Sequence, residues 1–210
     1  TASFRRFGRA VRTHLGTATR LETRRVGWRS VAVLASSTYD GPPFVAGVFR
    51  PYVLFAASTV ERLSSGERRA VLEHELAHLT HWDAVVVTAV IWLTNVFWFF
   101  PGGGWLARRI RTVLELNADD AAVRSGVDPR ELASALISVA ETLRGLPAAN
   151  LAAGRTPSSL ALRASRLLAP AASRRRGVYF AQLVGLVIAV ACVISSIFFG
   201  NAAAPPAPLH

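Results

Sequence analysis

His74-Glu75-Leu76-Ala77-His78 decides how the rest of this chain is read. On a helix, residues i and i+4 lie one turn apart on one face, so both imidazoles can converge on a single ion while the glutamate between them reaches a nearby water. With 5 His and 8 Glu in 210 residues, a chance H-E-x-x-H is expected about 0.004 times. The competing explanation is an amphipathic helix whose histidines are surface residues. A third ligand decides between the two.

Zinc held by two histidines and a carboxylate keeps one tetrahedral position open, the arrangement of a catalytic rather than a closed structural site. Cys192 lies far downstream in an apolar run, so a cysteine-rich site is excluded. Downstream acids are Asp83, Glu115, Asp119, Asp120, Asp128, Glu131 and Glu141; of these the group Glu115-Leu116-Asn117-Ala118-Asp119 has spacing that suits a metal shell. If Glu115 is the ligand, Asp119 shares its helical face and can accept from a histidine's other ring N–H, fixing the tautomer and strengthening the ligand. Taken alone, the two acids read as surface residues facing Arg108, Arg109, Arg111 and Arg124. His81 returns to the face of His74 on a continued helix, either as a fourth ligand that would close the site or as a group one turn beyond it.

E-x-x-A-D downstream of H-E-x-x-H resembles the integral-membrane gluzincins, both the CAAX-protease/HtpX type and the BlaR/MecR antirepressor type. Pro43 to Phe55 is similar to the P-F-x-x-G-x-x-x-P strand region of the BlaR/MecR type, and Leu63 to Leu72 is similar to its L-s-x-x-E-x-x-x-v-L lead-in. The CAAX-protease/HtpX type carries a T-H-P-S-type motif before an arginine, whereas Arg155-Thr156-Pro157-Ser158-Ser159 has no histidine and is followed by Arg163. That favours the BlaR/MecR side. No penicillin-binding sensor follows within this sequence, and Ser-x-x-Lys is impossible without lysine, so β-lactam sensing is not supported.

The resemblance covers about residues 31–170 and implies an α+β, mostly helical, zincin-like peptidase domain with a small sheet, followed by a C-terminal transmembrane helix. It implies Zn²⁺ on His74, His78 and Glu115, with Asp119 behind them and Glu75 as the base. Arg163 matches the family's R-i-x-x-L arginine and is a candidate second donor to the oxyanion, with a solvated helix arginine as the alternative. The expected function is a membrane-bound zinc endopeptidase acting on cytosolic or membrane proteins, including a transcriptional repressor. A quality-control protease of the HtpX type and a non-catalytic zinc-binding regulator are the alternatives.

Composition and hydropathy set the surroundings. A chain of this length allows one domain of ordinary size plus membrane elements. All 24 basic residues are arginine and Met is absent, including at position 1, which suggests a high-GC bacterial coding sequence and a fragment or processed chain. The 22 positions from Val178 to Phe199 reach about 33 Å as a helix, enough to span. Arg174-Arg175-Arg176 just before them places the peptidase domain in the cytoplasm and a Pro/Ala-rich tail, residues 200–210, outside. Residues 84–100 would reach only about 26 Å. Because Glu115 must meet the ion held by His74 and His78, the chain cannot cross a bilayer an odd number of times between them. Residues 84–100, with aromatics clustered toward their end, therefore read as an interfacial or re-entrant helix, a soluble core helix being the alternative.

Residues 1–30 carry eight arginines and read as a basic juxtamembrane arm drawn to anionic headgroups. Nucleic acid is the competing use of the net charge of +11; without a helix-turn-helix, RNA-binding or zinc-finger pattern it is not expected as a partner. Short β-prone runs at Val31–Ser36, Phe44–Phe49 and Tyr52–Ala57 predict a small sheet whose edge could take a substrate strand. A helix begins at Ser64 or Ser65 and runs through the metal motif toward His81, and Asp128-Pro129 opens another through Leu143.

Overall fold

A computed structural model describes residues 16–47, 49–96, 98, 102–143 and 157–169. Strands β1 (Ala18–Val26) and β2 (Arg29–Ser36) form an antiparallel hairpin around Gly27-Trp28. Gly27, at φ 58°, occupies the first central position of the two-residue turn, where glycine is favoured. β3 (Phe44–Ala46) pairs antiparallel with β4 (Tyr52–Ala56), and β4 lies parallel to β2, giving the order β1-β2-β4-β3. At Gly47, φ is 88° and a Cβ would lie 2.6 Å from the Arg50 carbonyl oxygen, so this turn requires glycine.

The strand pattern predicted a sheet beginning at Val31, with residues 1–30 as an arm; instead residues 18–26 form an edge strand. Its Arg, Thr and Glu side chains are mostly exposed, so it lacks the apolar alternation that marks a strand in sequence. Charges along such an edge discourage pairing with other chains. The central β4 is the reverse case, with Val53, Leu54, Phe55 and Ala56 all buried.

Six helices follow among the described residues: α1 (Ala57–Arg62), α2 (Ser65–Thr80), α3 (Asp83–Val96), α4 (Gly103–Arg124), α5 (Pro129–Leu143) and α6 (Pro157–Leu168). α2 begins at a capping box: the Glu67 N–H donates to Ser64 Oγ at 3.2 Å, and the Ser64 N–H donates to Glu67 Oε2 at 2.9 Å. This reciprocal pair satisfies two N–H groups that the helix leaves open. Asp128 starts α5 with a single side-chain cap, accepting from the Arg130 N–H at 2.8 Å.

α2 is central. One side packs Val71, Leu72, Leu76 and Leu79 against Val31, Val33, Val53 and Phe55 of the sheet and Val139 of α5. A second cluster joins Ala70 of α2 to Ala122 of α4, Leu132 and Leu136 of α5, and Leu167 of α6. Small side chains at Ala70, Ala118 and Ala122, all fully buried, let the helix backbones approach closely. The metal motif therefore sits on the most enclosed helix of the fold.

α3, at 14 residues, buries only Asp83 and Val90. It covers residues 84–96 of the apolar run predicted at 84–100, and α4 packs against it as the chain returns. No single helix among the described residues is long and apolar enough to cross a membrane. The predicted span at 178–199, the tail at 200–210 and residues 1–15 of the basic arm lie outside the described residues.

Candidate metal centre

α2 presents His74 and His78 one turn apart, and α4 brings Glu115 against them. His74 Nε2 lies 3.2 Å from His78 Nε2 and 3.5 Å from Glu115 Oε2, while His78 Nε2 lies 3.9 Å from Glu115 Oε1. Tetrahedral zinc with bonds of about 2.0–2.1 Å holds its ligands about 3.3 Å apart, so two imidazole nitrogens and a carboxylate at these separations fit such an ion. His74 is buried, whereas Glu115 keeps 28 % of its side chain exposed. The donor group is thus open on one side.

Each imidazole has a carboxylate behind it. His78 Nδ1 donates to Asp83 Oδ2 at 2.6 Å, because an ionised carboxylate can only accept. His74 Nδ1 lies 3.0 Å from Asp119 Oδ1, close in distance though off the hydrogen-bond axis. With a proton kept on Nδ1 of each ring, Nε2 is the atom left to offer an ion. Asp119 meets the expectation for it. Asp83 was only one acid among several in the sequence, and its role is visible only because the chain bends after α2.

Arg163 reaches in from α6. Its Nε and Nη2 donate to Asp119 Oδ2 and Oδ1 at 2.8 and 2.7 Å, its Nη1 donates to Glu115 Oε2 at 2.6 Å, and Nη2 stands 3.3 Å from His74 Nε2. At 3 % exposure it is not a solvated helix arginine. Arg166, one turn on, grips Asp120 at 2.7 Å, so two adjacent pairs fasten α6 to α4.

These contacts set the charges. Burial alone would lower the His74 pKa, but its interactions with Asp119 and Glu115 outweigh that and push it up to about 9. Burial would raise Glu115, yet the bond from His74 and the Arg163 charge hold it well below the usual carboxylate range. Asp119 is likewise raised by burial and lowered further by Arg163 and His74. Both carboxylates are thus held ionised, balanced in the metal-free chain by Arg163 and by the proton on His74.

Glu75 is buried beside this group at 3 % exposure, and its charge acts on Arg163. His81 is exposed at the C-cap of α2, outside the donor group. The sequence-predicted His74, His78, Glu115, Asp119 and Arg163 are therefore brought together.

The family model described as BlaR1 peptidase M56 matches residues 2–167. The chain is similar to the Regulatory protein BlaR1 of Bacillus licheniformis, 29 % identical over 44 % of this chain and 15 % of the relative. It is also similar to Protease HtpX of Buchnera aphidicola subsp. Baizongia pistaciae, 30 % identical over 47 % of this chain and 34 % of the relative. A Protease HtpX homolog of Janthinobacterium sp. is 40 % identical over 30 % of this chain and 23 % of its own length. The chain thus spans about a third or less of the length of these relatives.

Proposed function

This chain belongs to the BlaR1 peptidase M56 family, and we propose that it is the peptidase portion of a membrane-associated, zinc-dependent endopeptidase. One observation carries the reading: His74, His78 and Glu115 place their ligand atoms within 4.8 Å of one another, with the acid Glu75 buried next to them.

Zinc on these three side chains would lower the pKa of a water and polarise a scissile carbonyl. Glu75 is rotated about 100° from His74 around α2, so it does not share the ion; it accepts the water's proton and passes it to the leaving amine. Asp83 and Asp119 hold the two imidazoles in the tautomer that faces the donor group. Arg163 has its guanidinium committed to Asp119 and Glu115, which supports a role in positioning Glu115 ahead of direct contact with the oxyanion. The edge strand β3, opposite the charged β1, would hold an extended substrate segment.

Two features support action beside a bilayer. The α3–α4 hairpin exposes Trp92, Trp98 and Trp105, followed on α4 by Arg108 and Arg109, a pairing suited to the headgroup region. Positive charge just before the apolar run at 178–199 favours a cytoplasmic peptidase domain. Similarity to a protein named as regulatory supports regulated cleavage of a cytosolic target such as a repressor. Similarity to Protease HtpX supports general membrane-protein turnover as the second reading.

Glu75→Gln in the full chain, purified in detergent, tests the reading. Zinc should bind at one ion per chain while cleavage of labelled unfolded casein falls about 10²- to 10⁴-fold. Unchanged cleavage sinks the mechanism.

A further inference from the structure

The bend that ends the metal helix is held from outside the site. α2 stops at Thr80, the His81 N–H donates to the Ala77 carbonyl at 2.9 Å, and Trp82 adopts φ 58°, a region that bulky L residues avoid. The Trp82 carbonyl then accepts from the Val85 and Val86 N–H groups at 2.8 and 3.2 Å, starting α3 at 59° to α2. In a continuous helix, position 83 would lie about 140° around the axis from position 78. The bend instead returns Asp83 to His78, at 2.6 Å.

Arg29, the first residue of β2, sits against this bend and is buried. Its Nη2 donates to the Leu79 carbonyl at 2.9 Å, among the last carbonyls of α2 that lack a partner within the helix. Its guanidinium carbon lies 4.7 Å from the Trp82 ring centroid and 5.8 Å from that of Trp28, within cation–π range. A positive charge at this end also opposes the negative pole of the helix. The tip of the β1–β2 hairpin thus grips both sides of the turn that carries Asp83.

We propose that Arg29 and Trp82 are positioning residues for the metal: they clamp the α2–α3 bend so that Asp83 stays on His78 Nδ1, and affinity for the ion depends on that clamp. The inference rests on the metal reading above only in requiring that His78 be a ligand. An acid behind a ligating imidazole fixes its tautomer and orientation, and its loss weakens metal affinity by about 10- to 100-fold. A residue that holds the acid in place should therefore share that effect.

Zinc affinity of the full chain in detergent, measured by competition with a chromophoric chelator, tests this without reference to catalysis. Asp83→Asn should weaken binding about 10- to 100-fold, and Asp83→Glu should recover part of the loss. Arg29→Met should weaken binding in the same direction. Combined with Asp83→Asn it should add nothing, because both changes act through one contact. Arg29→Lys keeps the charge without the planar fork and should fall between Arg29→Met and the unaltered chain. Trp82→Gly keeps the backbone, since glycine takes positive φ freely, and should also weaken binding through loss of the ring. Should Arg29→Met lose helical content by circular dichroism, Arg29→Lys and Trp82→Gly carry the test. Unaltered zinc affinity in these clamp variants, or losses that multiply in the double variant, overturns the proposal. His78→Ala is the control: if the unaltered chain binds zinc no better than His78→Ala, it is the metal reading that fails.

Discussion

Arg163 on α6 engages both oxygens of Asp119 on α4, at 2.8 and 2.7 Å, where neither side chain is appreciably exposed. Removing one partner of such a pair strands the other charge in the interior, which costs about 3–5 kcal/mol. Arg163→Met should therefore destabilise the chain by about that much, and Arg163→Lys should recover little, because a point charge cannot reproduce the two-pronged contact. The double variant Arg163→Met/Asp119→Leu should be more stable than Arg163→Met alone. Denaturant unfolding of the three variants checks this, and equal stability of the single and double variants would count against it.

The charge state of the donor group predicts opposite pH trends with and without metal. His74 is raised from 6.5 to about 9, so its contribution to the metal-free chain is fully present below pH 6.5 and is lost as the pH climbs through about 9. Glu115 and Asp119 are lowered from 4.5 and 3.8, so their contributions are present above those values and are lost as the pH falls. With these groups alone, the chelator-treated chain is most stable between about pH 4.5 and 6.5 and melts at a lower temperature near pH 9. Zinc must displace the His74 proton, so the stabilisation it adds grows over the same rise in pH. Melting curves with chelator and with zinc, at about pH 6 and about pH 9, should show the gap between them widening. A constant gap would mean that His74 holds no competing proton.

The capping box at the head of α2 gives a prediction that leaves the metal group alone. Ser64 accepts from the Glu67 N–H, and Glu67 in turn accepts from Ser134 Oγ of α5 at 2.6 Å. Ser64→Ala should cost about 1 kcal/mol of stability with zinc affinity unchanged, because the cap lies more than two helical turns from His74. A matching loss of zinc affinity would show instead that fraying at the start of α2 reaches the site.

How much of this was legible in sequence depended on whether the signal was local. His74, Glu75 and His78 could be read because one regular helix carries all three. Glu115 and Asp119 could be read because a second helix repeats the same spacing. Ser64 announced its helix through Glu67 three residues on. β1 was missed because an exposed edge strand of Arg, Thr and Glu has no apolar period. Asp83 was left unassigned because its contact with His78 depends on Trp82 adopting positive φ, which a run of helix-forming residues does not signal. Arg163 was identified, but its partners were not, since they lie 44 and 48 residues away on α4. Arg29 had no local signal at all: it lay inside a stretch whose other arginines read as a basic arm.

The α3–α4 hairpin carries the last prediction. Of the 5 tryptophans in the chain, Trp92, Trp98 and Trp105 belong to this hairpin and each is more than half exposed; Val85, Ile91, Leu93 and Val96 are exposed beside them. So large an apolar face on a helix that buries only two of its residues calls for a non-aqueous partner. Indoles prefer the headgroup boundary, and arginines one turn further along can engage lipid phosphates. Glu115 returns to the donor group, so an even number of crossings separates the two ends, and we propose that the hairpin dips into one leaflet. A variant keeping Trp92 alone, the other four replaced by Phe and the protein reconstituted in vesicles, should be quenched by lipids brominated near the headgroup more strongly than by lipids brominated at the chain ends. Equal and negligible quenching by both would place this face in water or against protein.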